Sequence, residues 1–102
     1  MNWNTEEKQR FIEAVLSLKT SDEARRFLRD LMTESEIDDL AKRLTTAIML
    51  SEQMPYTDIE KQTGFSSRTV ARVAKWLNNG ENGYKAIIGR IHHHSTSLGD
   101  KG

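Results

Sequence analysis

Apolar side chains recur along this chain at intervals of three and four residues, which is the period of an amphipathic α-helix. The longest such pattern extends from Ile37 to Met49, and shorter patterns lie on both sides of it. No stretch alternates apolar and polar residues over the length of a β-strand. The sequence therefore predicts an all-α fold of six helices without a sheet.

Capping residues and helix breakers mark the expected helix boundaries. Asn4 and Thr33 each precede a glutamate by three residues, which is the spacing of a capping box at a helix N-terminus. A second helix is predicted to begin at Thr20 or Ser21, followed by acidic residues that the helix dipole favours. Because proline cannot continue a helix, Pro55 is expected to end the longest one.

Shorter helices are expected after this proline. One begins with Thr57 as its cap and ends at Gly64, since glycine adopts the left-handed conformation of a helix C-terminus without strain. The last helix is predicted to extend from Glu81 to Ile91. A single domain of residues 1–91 would then be followed by a disordered polar tail of residues 92–102.

The segment of about residues 56–78 has the spacing of a helix-turn-helix motif. Ile59 would anchor the first helix, Gly64 would allow a tight turn, and Phe65 would fill the angle between the helices. A serine, Ser66 or Ser67, then caps a second helix that two buried valines would hold in place. Since Glu60 stands where this motif usually has a small residue, the helix pair is expected to open slightly.

The charge distribution favours DNA as the partner of this segment. The 102 residues contain 15 basic and 15 acidic side chains, so the formal net charge is zero. Between Lys61 and Gly80 there are nevertheless four basic residues and no acidic one. Hydroxyls and cations are the groups that contact bases and phosphates from a recognition helix. The predicted DNA contacts are Thr57, Lys61, Ser67, Arg68, Thr69, Arg72 and Lys75.

A second interpretation stays open, because helix pairs joined by a glycine turn are common in all-helical proteins. Residues 1–52 carry 11 acidic and 8 basic side chains, a net charge of −3, whereas residues 53–102 carry 4 and 7, a net charge of +3. The acidic half would suit a protein-interaction module that binds another regulator or a polymerase subunit. No residue pattern supports an enzyme.

Several segments resemble a known family. They are LMTESEI at residues 31–37, LAKRL at residues 40–44, GFSSRTVARV at residues 64–73 and NNG at residues 78–80. Together they are similar to the tryptophan-repressor family, in its branch of short bacterial repressor-like proteins without an assigned ligand. The resemblance covers all of the chain except the tail. It implies an intertwined homodimer that represses transcription by binding a palindromic operator in double-stranded DNA.

The resemblance also implies a vestigial co-repressor pocket. The positions that hold the amino-acid ligand in the family correspond to Thr33, Arg43, Thr69 and Arg72. The family's pocket needs a glycine after the second arginine and a small polar residue three positions further on, but this chain has Val73 and Trp76 there. We therefore expect these two side chains to block the pocket, with Trp76 buried toward Arg43 and Leu44, and no gating by tryptophan.

Arginines such as Arg43 and Arg72 have another common role, as surface ion-pair partners of Glu36 or Asp39.

The absence of cysteine excludes disulfides, thiol nucleophiles and cysteine-rich zinc sites. His92, His93 and His94 are consecutive and do not have the spacing of metal ligands. We expect a soluble, cytoplasmic protein without membrane contact, because no apolar run is long enough to cross a bilayer and the first residues lack the apolar segment of a signal peptide. We also expect it to use no metal, cofactor or small-molecule effector.

Overall fold

The computed structural model describes residues 1–99, and it describes side chains as far as Ile91. These residues form α1 (Glu6–Leu16), α2 (Ser21–Leu31), α3 (Glu34–Ser51), α4 (Tyr56–Thr63), α5 (Ser67–Asn79) and α6 (Gly83–Gly99). No strand occurs among the described residues. The prediction of six helices without a sheet is confirmed.

Two helix N-termini have the caps that the sequence predicted. The Glu36 backbone N–H donates to the Thr33 hydroxyl at 3.1 Å, and the Thr33 backbone N–H donates to the Glu36 carboxylate at 2.9 Å. The bond from the Thr33 backbone N–H to the carboxylate, and secondly the interaction of the carboxylate with the Thr33 hydroxyl, hold the pKa of Glu36 below its usual value. The Thr20 hydroxyl caps α2 by accepting from the Glu23 backbone N–H at 3.1 Å.

Two other caps were predicted wrongly. The cap of α1 is Thr5, whose hydroxyl accepts from the Lys8 backbone N–H at 3.2 Å, rather than Asn4. The residue before α4 is Pro55 rather than Thr57, and it makes no side-chain capping bond. Since proline lacks a backbone N–H and its φ of −60° suits the start of a helix, α4 begins directly after it.

The last helix also differs from its predicted bounds. It begins after Asn82 rather than at Glu81, because Asn82 adopts the left-handed conformation with φ of 66°. It continues to Gly99, whereas the sequence predicted an end at residue 91 and a disordered tail beyond it. No proline interrupts this stretch of the sequence. Residues 100–102 of the predicted tail lie outside the described residues.

The chain divides into two compact units, and the single domain of residues 1–91 stays a prediction. The first, Met1–Ile37, contains α1 and α2, and neither of these fully described helices has a buried side chain. Phe11 is 46% exposed and Leu16 is 78% exposed. The apolar face of α1 therefore lacks the cover that a core helix has within its own unit.

The second unit begins at Asp38 and contains the buried side chains. Within it, α5 packs against α4 on one side and α6 on the other. The buried residues of this unit are Thr46, Ala47, Ile59, Thr63, Val70, Val73 and Leu77. Because three of them belong to α5, this helix is the centre of the unit's core.

We predict that Gly64→Ala lowers the free energy of unfolding by about 1–2 kcal/mol. Gly64 has φ of 80°, and an added Cβ would meet no atom within 4 Å, so the cost is one of backbone conformation rather than of steric overlap. Gly89→Ala is the matched control, because that glycine has equal space inside α6 and should gain about 0.5–1 kcal/mol. Urea unfolding of both variants measures the difference, and equal effects would contradict the assignment.

Candidate nucleic-acid interface

A short turn held by side-chain hydroxyls joins α4 to α5. The Thr63 hydroxyl donates to the Ile59 carbonyl at 2.8 Å and accepts from the Phe65 backbone N–H at 3.2 Å. The left-handed Gly64 lies between them, and its N–H donates to the Glu60 carbonyl at 2.9 Å. These bonds close the last turn of α4 and tie it to the backbone of Phe65, which restricts the direction in which the chain leaves the helix.

The N-terminus of α5 follows at once and is capped as predicted. The Ser66 hydroxyl accepts from the Thr69 backbone N–H at 3.2 Å. Between the two helices, Ile59 and Val70 are both fully buried, so the pair is anchored by apolar packing as well as by the turn. Phe65 is half-buried, as its predicted position in the angle requires. Glu60 is half-buried as well.

Two opposite faces of α5 differ in chemistry. The buried face carries Val70, Val73 and Leu77. The opposite face bounds a shallow cleft of about 480 Å³. Its lining residues have the i, i+3, i+4, i+7, i+8, i+11 spacing of one helix face: Arg68, Ala71, Arg72, Lys75, Trp76 and Asn79. This face, which we call the basic face of α5, contains three cations and no acidic side chain.

Most of the predicted DNA-contact residues are exposed. Thr57 and Lys61 lie on α4 and are exposed, and so are four of the predicted contacts on α5: Ser67, Arg68, Arg72 and Lys75. Thr69 is half-buried, and its hydroxyl lies 3.2 Å from that of Ser66, so this side chain is partly engaged within the protein. Among the described residues, no ion pair involves a cation of the basic face.

A second, larger cleft lies on the other flank of α5, and its volume is about 750 Å³. It is lined by Arg43, Leu44, Thr69, Arg72, Val73, Trp76, Glu81, Gly83, Tyr84 and Ile87, from α3, α5 and α6 and the turn before α6. Three of the four predicted pocket residues are thus together. The fourth, Thr33, belongs to the first unit, where it caps α3.

The predicted burial of Trp76 is wrong, because 58% of its surface is exposed. Val73 is only 3% exposed and belongs to the core. Three residues of helix correspond to about 300° of rotation, so Trp76 is turned by about 60° from the direction of Val73. Its side chain therefore borders both clefts instead of filling the larger one.

The alternative role of Arg43 and Arg72, as surface ion-pair partners, holds for Arg43. Arg43 pairs with Asp39 at 2.9 Å, one helical turn earlier on α3. Arg72 has no such partner among the described residues. The two guanidinium groups therefore differ: Arg43 is partly neutralised by its own helix, whereas Arg72 stays available on the boundary between the two clefts.

The sequence pattern did not single out Thr63 or the outer position of Trp76. The signal for Thr63 is a threonine directly before a helix-ending glycine, where its hydroxyl can reach the carbonyl four residues earlier. The signal for Trp76 is its spacing of four and eight residues from Arg72 and Arg68. Both signals are spacings within a helix, so they can be used only when the exact bounds of α4 and α5 are known.

The described residues contain neither a cluster of metal ligands nor a membrane-spanning helix. Within that part of the chain, no group of three histidine, cysteine or acidic side chains is arranged to hold a metal ion. In the same residues, no helix is both long enough and apolar enough to cross a membrane.

Comparisons with known proteins agree on one family. A family profile described as Trp repressor protein matches residues 6–92. YerC, an uncharacterised protein of Bacillus subtilis (strain 168), is 39% identical over 95 residues, which cover 93% of this chain and 91% of YerC. The crystal structure of a TrpR-like protein from Eubacterium eligens ATCC 27750 has a TM-score of 0.84 at 39% identity, covering 88% of this chain and 93% of that one. A Staphylococcus aureus protein described provisionally as a Trp repressor has a TM-score of 0.83 at 30% identity, covering 90% and 95%.

Proposed function

The chain belongs to the Trp repressor family, and we propose that it is a sequence-specific, DNA-binding transcriptional repressor. Trp repressor-like proteins are regulators rather than enzymes. The observation that carries the proposal is the basic face of α5, on which Arg68, Arg72 and Lys75 are exposed without an acidic neighbour on that face. A recognition helix needs this combination of cations and solvent exposure.

In this proposal α4 and α5 form a helix-turn-helix, and α5 enters the major groove of double-stranded DNA. Arg68 is the second residue of α5, so its guanidinium is near the helix end that contacts base edges, where it makes a bidentate bond with guanine. Lys61 and Lys75 neutralise phosphates on either side. Thr57 and Ser67, which are exposed near the two helix N-termini, donate hydrogen bonds to the DNA backbone.

We further propose that the functional unit is a homodimer. Because α1 and α2 bury no side chain within the described residues while Phe11 and Leu16 are exposed, the first unit needs an apolar partner surface. A second copy supplies one in the intertwined arrangement that the family resemblance implies. Two recognition helices about 34 Å apart would then contact successive turns of a palindromic operator.

Tryptophan is not the effector in this proposal. The burial of Trp76 cannot support this, since Trp76 is exposed and leaves the larger cleft open. The argument from substitution remains: Val73 and Trp76 replace the glycine and the small polar residue that the family's pocket requires. Glu81 also lines the larger cleft, and its negative charge would repel the carboxylate of an amino-acid ligand approaching Arg72.

Alanine variants of Arg68 and Lys75 should weaken DNA binding in different ways. Arg68→Ala should cost about 1–3 kcal/mol and reduce discrimination between sequences, because it removes a base contact. Lys75→Ala should weaken binding to all sequences similarly and reduce the salt slope by roughly one, because it removes a phosphate contact. Gel shifts with a duplex that the unmodified protein enriches from a random-sequence pool measure both effects.

Lys85→Ala is the matched control for this experiment, since it removes an exposed cation from α6 and should leave the affinity nearly unchanged. Equal losses in all three variants would contradict the placement of α5 in the groove. If the unmodified protein shifted no DNA, the protein-interaction module would become the better interpretation.

Sedimentation at micromolar concentration should show a dimer. Phe11→Glu should increase the monomer fraction, because it places a charge on the exposed apolar face of α1. Gln9→Glu adds the same charge at an exposed polar position of the same helix and should remain dimeric. A folded monomer of the unmodified protein under these conditions would contradict the proposal.

Calorimetry with free tryptophan should show no heat of binding to the unmodified protein. The double variant Val73→Gly, Trp76→Ser, which restores the family's residue types, should bind tryptophan more tightly than the unmodified protein does. Saturable binding of tryptophan to the unmodified protein, together with stronger DNA binding in its presence, would overturn the proposed independence from this ligand.

A further inference from the structure

Arg68, Arg72 and Trp76 form a row along the basic face of α5. Successive members are four residues apart, and side chains with this spacing are neighbours, with about 5–6 Å between their Cβ atoms. Helical side chains lean toward the N-terminus of their helix, which favours an approach of the Trp76 indole to the preceding turn, where Arg72 lies. Both Arg72 and Trp76 border the two clefts on the flanks of α5, which places them at a common boundary.

The surroundings of the pair favour an interaction between its two members. Trp76 is 58% exposed although tryptophan is usually well buried, so this side chain contributes little to the core of its own unit. No carboxylate forms an ion pair with Arg72 among the described residues. The face of an indole ring attracts a guanidinium through its quadrupole, and this attraction does not neutralise the charge.

We propose that Trp76 is a positioning residue for DNA recognition: its indole stacks on the Arg72 guanidinium and holds it toward the nucleic acid. This inference rests on the proposed function, since it assigns a role within the same interface. A free arginine side chain loses rotamer freedom when it binds. An arginine that is already stacked loses less, so its contact with DNA becomes stronger and better defined.

The stacking itself can be measured without DNA. In the NMR spectrum, the δ-methylene protons of Arg72 should be shifted upfield by the ring current of Trp76. Trp76→Phe should retain part of this shift, whereas Trp76→Leu, which keeps apolar bulk but has no aromatic face, should abolish it. An Arg72 signal that is unchanged in Trp76→Leu would overturn the proposal, whatever the DNA experiments show.

The effect on recognition is measured with the same enriched duplex. Trp76→Leu should weaken binding by about threefold to tenfold, and Trp76→Phe should restore most of the affinity. In the Arg72→Ala background, Trp76→Leu should have no further effect, because the partner of the ring is gone. In the Arg68→Ala background it should have its full effect, since Arg68 is two helical turns away and acts as the matched control.

The possible outcomes separate this inference from the proposed function. If Arg68→Ala weakens binding while Trp76→Leu does not, the positioning role is wrong and the DNA-binding function stands. Additive losses in Arg72→Ala, Trp76→Leu would also overturn it, since they indicate that the ring acts independently of Arg72. If the unmodified protein bound no DNA, the proposed function and the positioning role would both be wrong.

Discussion

The burial of Val70, Val73 and Leu77 sets the rotation of α5 about its own axis, and that rotation decides which side chains the helix presents to solvent. Moving the helix by one residue would turn it by about 100° and replace the basic face with a mixed one. Val70 is fully buried, as is Ile59 of α4, so the two helices hold each other in this orientation. The chemistry of the outer face therefore depends on apolar contacts on the opposite side.

The turn between α4 and α5 also restricts the orientation of α5. Thr63 joins the last turn of α4 to the backbone of Phe65, and Ser66 caps α5 directly afterwards. The bond to Phe65 ties the turn to α4, and the cap from Ser66 satisfies an N–H that the start of a helix otherwise leaves unpaired. Because the connection is short and these bonds hold it at both ends, little freedom remains for α5 to rotate relative to α4.

Features that depend on a few neighbouring residues could be predicted from the sequence. The capping box of Thr33, the left-handed Gly64 and the serine cap of α5 are of this kind, since their hydrogen bonds reach only three or four residues along the chain. The exposure of Trp76 could not be predicted in this way. It depends on how α3, α5 and α6 meet, and a family resemblance alone placed an indole where the structure has an open cleft.

The division into two units has a similar explanation. Helical periodicity in α1 predicts an apolar face, but it does not say which surface will cover that face. In α5 the cover comes from α4 and α6 within the same unit, whereas Phe11 and Leu16 remain exposed in the first unit. Periodicity therefore leaves open what covers α1, whereas the second unit has a core of its own among the described residues.

A chain with no net charge can still bind a polyanion, because charges act over a short distance in salt. The screening length is about 8 Å at physiological ionic strength, so acidic groups farther than this from the DNA have little effect on it. The acids of residues 1–52 thus need not cancel the cations of the basic face. At low salt, where the screening length is longer, they lower the long-range attraction by which strongly basic proteins bind any DNA. A protein built in this way depends more on the geometry of a few cations, which is why the orientation of α5 matters more here than the total charge.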